Sequence, residues 1–362
     1  MITGNRGEWS EIYTLFKLLG DGKVHAGDAN MNKLELYYPI INIIRQESQK
    51  WQYKPNQNCD VVIINEEGEE ECRIPMLHFL RESDKLLSSI KEGNKEGSGA
   101  FSIPATESFM SSIHCEKLKA KSTDKADIQI MIHDLRTNMT PTLGFSIKSQ
   151  LGSPSTLLNA GETTNILYKV VGDLSDDSAL SINKIKGHIP RMNALKKLGC
   201  TLTYADVTNK TFKDNLLFLD HLMPEFIAEC LLVDSFYNVS SDIKEAVEFV
   251  ANKNPLNIDR NNILTYYEHK MKQLLLSSAL GMTPAKEWTG RFDANGGYLV
   301  VRKDGEIVCY HFYNQNDVED YLYNNTRFER ASRSRYHFGS LFKSTEDNSY
   351  YCILNLQIRF KK

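Results

Sequence analysis

The chain has 362 residues, 41% of them hydrophobic and 25% charged, which suits a globular protein of enzyme size with one large core or two smaller ones. No stretch reaches the roughly 18 uncharged apolar residues of a membrane span, and Met1–Ser10 hold no apolar run of signal-peptide kind, so the cytoplasm is the expected location. Seven cysteines without a CxxC pair exclude a disulfide framework or structural zinc, and a formal net charge of −3 excludes a global attraction to polyanions, so any case for nucleic acid rests on local charge.

Near the start, Trp9, Ile12, Tyr13, Phe16 and Leu19 recur at three-and-four spacing before Gly20 and Gly22, the pattern of an amphipathic helix with a glycine stop; Glu8 and Glu11 lie on its first turns. A hairpin is expected in DVVIINEEGEEECRI, turning near Glu67 and Gly68, then a helix from about Pro75 to Ile90. Residues 91–100 read as a polar connector, and a second helix follows around Glu107 to Leu118. Three strands are expected at about 127–134, 143–150 and 164–171. Residues 176–282 are mostly helical in period, interrupted by a strand at 200–207. The chain then returns to strands in GGYLVVRKDGEIVCYHFY, where Asp304 and Gly305 supply a hairpin turn, and closes on a strand at YYCILNLQIRF.

Sorted by alternating face, Ile128, Ile130 and Ile132 fall with Phe145 and Ile147, whereas Asp127, Gln129 and His133 fall with Ser146, Lys148 and Gln150. With a turn centred near Asn138, antiparallel pairing sets Asp127 opposite Lys148 and Gln129 opposite Ser146. An aspartate beside a lysine is what metal-dependent phosphodiester hydrolysis calls for. The carboxylate holds Mg²⁺, a hard cation, and the amine orients or helps deprotonate water and offsets charge on the phosphate. A half-exposed antiparallel hairpin gives the same alternation without any catalysis. Asp134 competes for the acidic role, but beside the turn it sits opposite Thr142, away from Lys148.

The hairpin resembles the PD-(D/E)xK nuclease superfamily, whose second motif residue is normally acidic; here it is Ser146, so one metal carboxylate is missing. That resemblance implies an acid from a helix before the sheet, which favours Glu11, with Glu8 or Glu162 as alternatives. More specifically, GNRGEWSEIYTLFKLLGDGK, KSTDKADIQIMIHD, LGFSIKSQLGSPSTLLNAGETTNILYKV and TRFERASRSRYHFGSLF resemble the HpaII group of type II restriction endonucleases, from Gly4 almost to the C-terminus. The resemblance implies a bacterial cytoplasmic enzyme that uses Mg²⁺ to cleave double-stranded DNA at a four-base palindrome such as CCGG, functionally linked to a cognate DNA methyltransferase. A palindrome suggests a homodimer, although a monomer acting twice would also serve a short site.

From Arg327 to the end, eight Lys and Arg face three acids. Arg327, Arg330, Arg333 and Arg335, interleaved with aromatics and followed by His337, are candidate DNA contacts, since arginine reads guanine O6 and N7; the competing reading is a basic loop paired to surface acids. Ser153, Ser155, Thr156 and Asn159, just past the lysine strand, offer hydroxyls and amides to phosphates or simply cap a turn. Lys119, Lys121 and Lys125 could line an approach to Asp127; His133, Lys169, His188 and Arg191 carry weaker signals.

The expected fold is therefore α/β: a restriction-endonuclease-like mixed central sheet containing 127–150 and 164–171, flanked by helices, with an antiparallel β-rich C-terminal part. Its expected divisions are 1–100, a catalytic core with helical extension at 101–282, and a DNA-recognition part at 283–362. Two rivals stand beside this reading: a structure-specific or repair nuclease, and a non-catalytic DNA-binding protein motivated by Ser146.

Overall fold

Asn5 starts the first helix with a capping box, accepting from the backbone of Glu8 while the Glu8 carboxylate accepts from the backbone of Asn5, and Gly22 ends it in the left-handed region at φ 64°. Gly20, expected to stop the helix, lies inside it, where a Cβ would come within 2.9 Å of the Leu80 backbone nitrogen. It permits close packing rather than termination. The apolar stripe is buried as the spacing requires, with Phe16 edge-on to Phe79 at 6.3 Å and to Phe109 at 5.0 Å.

The computed structural model describes residues 1–93, 99–119, 126–292 and 295–361, and the side chain of Arg335 lies outside that description. In chain order the elements are α1 (Arg6–Asp21), β1 (Lys23–Gly27), β2 (Lys33–Gln46), β3 (Lys50–Pro55), β4 (Asp60–Ile64), β5 (Glu70–Pro75), α2 (Met76–Glu92) and α3 (Pro104–Ser112). Next come β6 (Ile128–Ile132), β7 (Thr142–Ser149), β8 (Thr156–Leu158), β9 (Asn165–Val171), α4 (Asp176–Lys184), α5 (His188–Lys197), β10 (Thr201–Val207), α6 (Lys210–Leu219), α7 (Met223–Ser235), α8 (Ile243–Lys253) and α9 (Ile263–Leu280). The last are β11 (Gly297–Val301), β12 (Ile307–His311), α10 (Gln315–Asn325), β13 (Thr326–Phe328), α11 (Arg333–Tyr336), β14 (Leu341–Lys343), β15 (Tyr350–Asn355) and β16 (Ile358–Phe360). The fold is mixed α/β. None of the described helices is long and apolar enough to cross a membrane.

The chain divides into two units, the first from Met1–Ser155 with Phe292–Tyr321 and the second from Thr156–Arg291 with Leu322–Lys361. Among the described residues the first unit holds a nine-stranded mixed sheet in the order β1-β12-β11-β7-β6-β2-β3-β4-β5, with β11 parallel to β7 and β1 parallel to β12. Because β1 also pairs with β2, the six strands β1, β12, β11, β7, β6 and β2 return on themselves as a ring, and β3 to β5 extend from it. Its core face carries Ile128, Ile130, Ile132 and Phe145, all buried, together with Trp9, Ile12 and Phe16 of α1.

Two expectations about the sheet are corrected. The strand at 164–171 does not join the hairpin's sheet: β9 lies in the second unit, between β10 and β15. The final strands do not form one antiparallel unit, since β11 and β12 complete the ring while β13 to β16 are shared between two smaller sheets. The closing strand splits at Leu356 and Gln357, whose backbones bond instead to Thr164 and Glu329. In the second unit those two sheets pack with helices of which α7 is the most buried.

Candidate active site

The hairpin of β6 and β7 turns through residues 135–138, with Asn138 left-handed at φ 56° and an isolated bridge between Asp134 and Met139. The register pairs Ile128 with Phe145 and Gln129 with Gly144. Asp127 therefore faces Ser146, two places short of the expected Lys148, and Gln129 faces Gly144 rather than Ser146. Asp134 faces Met139 rather than Thr142. A slip of two residues preserves the face of every side chain, so Asp127, Ser146 and Lys148 remain on one side.

Ser146 supplies no carboxylate itself, but it holds that of Asp127 in place. Its Oγ donates to Asp127 Oδ2 at 3.0 Å, and the backbone nitrogen of Ile147 donates to the same oxygen at 2.7 Å. Asp127 in turn donates its own backbone N–H to Phe145 at 2.8 Å. The carboxylate is thus fixed by β7 from both its main chain and its side chain.

Glu11 reaches the same place from α1, which is tied to the end of β7 by Ser10 Oγ to Ser149 Oγ at 2.8 Å and by Arg6 to the carbonyl of Leu151 at 3.4 Å. Burial first, and then the charge of Asp127, raise the Glu11 carboxyl to about 8 against the pull of Lys119 and Arg45. Lys148 is brought below its ordinary range by burial, although Asp127 and Glu11 both act to hold its proton. Its Nζ lies 5.3 Å from the centroid of the Tyr298 ring, contributed by β11 at the position paired with Ser146.

Tyr298 is the residue that sequence reasoning missed. It sat in view in the GGYLVV strand, but only the parallel pairing of β11 with β7 places it here. Gln150 follows on the same strand and turns its amide nitrogen to Met31 Sδ at 3.3 Å. Of the alternative acids, Glu8 is engaged in the α1 capping box and in an ion pair with Lys119 at 3.5 Å, and Glu162 lies in a short 3-10 turn of the second unit. Lys121 and Lys125 fall outside the described residues.

The donor set suits a hard divalent cation. Two half-buried carboxylates repel one another, as the rise at Glu11 records, and Mg²⁺ takes only one or two protein carboxylates while keeping much of its water. Among the described residues no group of three or more His, Cys, Asp or Glu is placed to hold a metal, which disfavours an all-protein cage and leaves the pair.

Residues 5–360 match the family model of the HpaII restriction endonuclease. The chain belongs to the HpaII restriction endonuclease family. Over 360 residues it is 42% identical to the type II restriction enzyme HpaII of Haemophilus parainfluenzae, a match covering 99% of this chain and 98% of that protein. No solved structure matches it.

In this HpaII-family chain the basic segment of the second unit divides in two. Arg327 pairs with Glu329, and Arg330 grips the buried Asp234 with Nε and Nη2, each at 2.8 Å from a carboxylate oxygen. Both fit the reading of arginines engaged with acids. Arg333 is different: among the described residues its side chain bonds only through Nε to Ser340 Oγ at 3.2 Å, and the exposed His337 sits in the left-handed region at the end of α11. Arg335 can be placed only by its backbone, in α11. Thr156 belongs to β8, opposite Arg359, rather than to a loop; Ser153 and Asn159 are exposed and Ser155 is half-buried. Lys169 is paired with Asp347 at 3.0 Å.

Proposed function

We propose that this type II restriction endonuclease hydrolyses double-stranded DNA at the β6–β7 hairpin, with Asp127 and Glu11 holding Mg²⁺ and Lys148 acting on the scissile phosphodiester. One observation carries the reading: β6 and β7 set the anchored Asp127 carboxylate and Lys148 on one face, and α1, tied to β7 through Ser10 and Ser149, brings Glu11 within electrostatic reach of both. On this reading the hairpin is a variant of the PD-(D/E)xK motif, with Glu11 standing in for the acid that Ser146 replaces.

Mg²⁺, when bound, supplies Lewis-acid polarisation of the phosphate and relieves the repulsion between the two carboxylates. The chain's own groups do the positioning. Ser146 Oγ and the Ile147 N–H keep Asp127 in one orientation, which removes a reorganisation step from the reaction. Lys148 Nζ, packed beside Tyr298 and with its proton loosened by burial, orients the attacking water, accepts a proton from it when neutral, and as an ammonium opposes the charge growing on the phosphate. Gln150 completes the polar row at the strand's end.

For recognition we assign Arg333, Arg335 and His337, with Ser153, Ser155, Thr156 and Asn159, to the DNA, and give Arg327 and Arg330 to structural ion pairs. The target is a four-base palindrome such as CCGG, met by two copies of the chain, each serving one half-site, in a bacterial cytoplasm where a cognate methyltransferase protects the host. The test is a digest of DNA of known sequence with mapped ends, run with Mg²⁺ or with chelator and with or without CpG methylation. Discrete ends at one tetranucleotide, lost on methylation and on chelation, are expected. Cuts confined to nicks, mismatches or junctions, or binding without cleavage in any divalent ion, would overturn the assignment.

A further inference from the structure

Arg191 of α5 is 3% exposed, yet among the described residues no carboxylate pairs with it. Its Nη2 donates to the carbonyl of Phe338 at 3.1 Å, while its Nε is buried without a partner. The charge that acts on it most is another positive one, Arg333, which with burial lowers its proton affinity. Arg333 bonds Ser340 Oγ at 3.2 Å, so the two guanidinium groups grip the turn at residues 338–340. That turn is pinned by the Gly339 N–H donating to Ile353 at 2.7 Å, and Gly339 is left-handed at φ 65° where a Cβ would strike His188 Nδ1. His188 adds no acid: burial, Arg330 and Arg191 keep its ring neutral, with Nε2 donating to the Ser235 carbonyl at 2.8 Å. The nearby charge of Arg330 is cancelled by Asp234.

A buried guanidinium with an unmade hydrogen bond, next to a second unpaired arginine, is costly in the free protein. We infer that Arg191 and Arg333 form a built anion seat on the Phe338–Ser340 turn, and that its occupant is a backbone phosphodiester of the bound duplex. This deepens the proposed function and rests on it. The seat reads no base. It adds affinity and register to any sequence, whereas a guanine reader would discriminate.

Three proteins test it: wild type, Arg191→Met and Arg333→Gln. Affinity is measured in Ca²⁺ by anisotropy on short duplexes with and without CCGG, from 50 to 200 mM KCl. Each substitution is expected to lower the slope of log affinity against log salt by about 1, equally on both duplexes. Thermal unfolding without DNA is measured in sulfate and in chloride at equal ionic strength. Sulfate is expected to raise the wild-type midpoint more than it raises either variant's, and Arg191→Met is expected to be at least as stable as wild type in chloride. A folded Arg191→Met with an unchanged slope overturns the seat, as does a change confined to the CCGG duplex. If Arg191→Met fails to fold, the slope of Arg333→Gln decides alone. Should the wild type bind no DNA, the proposed function falls, and the sulfate arm still judges the seat.

Discussion

Arg330→Ala separates a structural arginine from a DNA reader. Arg330 makes two charge-assisted bonds of 2.8 Å to Asp234, whose side chain is 7% exposed, and donates at 3.2 Å to both the Asp234 carbonyl and Asn238 Oδ1. Removing the guanidinium strands a buried carboxylate. Breaking a fully buried pair costs about 3–5 kcal/mol. Since the Arg330 side chain is itself 36% exposed, solvent screens part of this and about 2–3 kcal/mol is expected. For a unit of this size that is a fall of roughly 5–10 °C in the unfolding midpoint. The assay is thermal and urea unfolding of Arg330→Ala, Asp234→Asn and the double variant, alongside affinity for a CCGG duplex in Ca²⁺. The double variant should recover part of the loss, because no orphaned charge remains. DNA affinity of the folded fraction should change less than threefold. Unchanged stability with a tenfold or greater loss of site-specific affinity would refute the reasoning and make Arg330 a base contact.

Lys148→Ala and Asp127→Ala should each abolish cleavage, a loss of at least about 10³-fold, while specific binding in Ca²⁺ stays within a few-fold; wild-type cleavage by either would remove that residue from the site. Ser146→Ala should leave binding intact and slow single-turnover cleavage by roughly 10–100-fold, as expected when a supporting bond to a ligand is lost, and an unchanged rate would show that Ile147 alone positions Asp127. His311 is 2% exposed, and burial holds it down to about 4, so the unfolded chain takes up a proton near 6.5 that the folded chain refuses. Stability present above pH 6.5 is therefore lost as pH falls toward 4, by at most about 2 kcal/mol between pH 6.5 and 5 from this residue. Urea unfolding of His311→Asn should show a flatter acid limb than wild type, and parallel profiles would exclude His311 as a source. Gly20→Ala should cost about 1–3 kcal/mol in urea unfolding, because its Cβ meets Leu80 side-chain and backbone atoms within 2.9 Å; an unaltered midpoint would mean that α1 and α2 can part without penalty.

Much of the site was legible from local pattern. The three-and-four spacing of Trp9 to Leu19 fixes which face of α1 is buried, and with it the place of Glu11 on the second turn; the two-residue period of β6 and β7 sorts Asp127, Ser146 and Lys148 onto one face in any register that keeps the isoleucines on the core side. These periods are properties of the backbone and need no partner to be read. The opposition of Asp127 to Ser146 rather than Lys148 was not legible, because the turn at residues 135–138 sets it and polar turn residues tolerate several centres. Nor was β2, whose Pro39 breaks the look of a strand. It changes partners along its length, pairing with β1 up to Pro39, with β6 from Ile40 and with β3 from Ile43.

What the chain by itself determined is therefore one-dimensional: helix faces, strand faces, the residue types available for chemistry and the family resemblance. Only the tertiary structure decided that β11 lies parallel to β7 and brings Tyr298 to Lys148, that β9 belongs to another sheet, and that of the C-terminal arginines Arg327 and Arg330 face acids while Arg333 faces Arg191. Such pairings join residues up to about 150 positions apart, so they depend on which surfaces the whole chain can bury together and leave no periodic trace in the sequence.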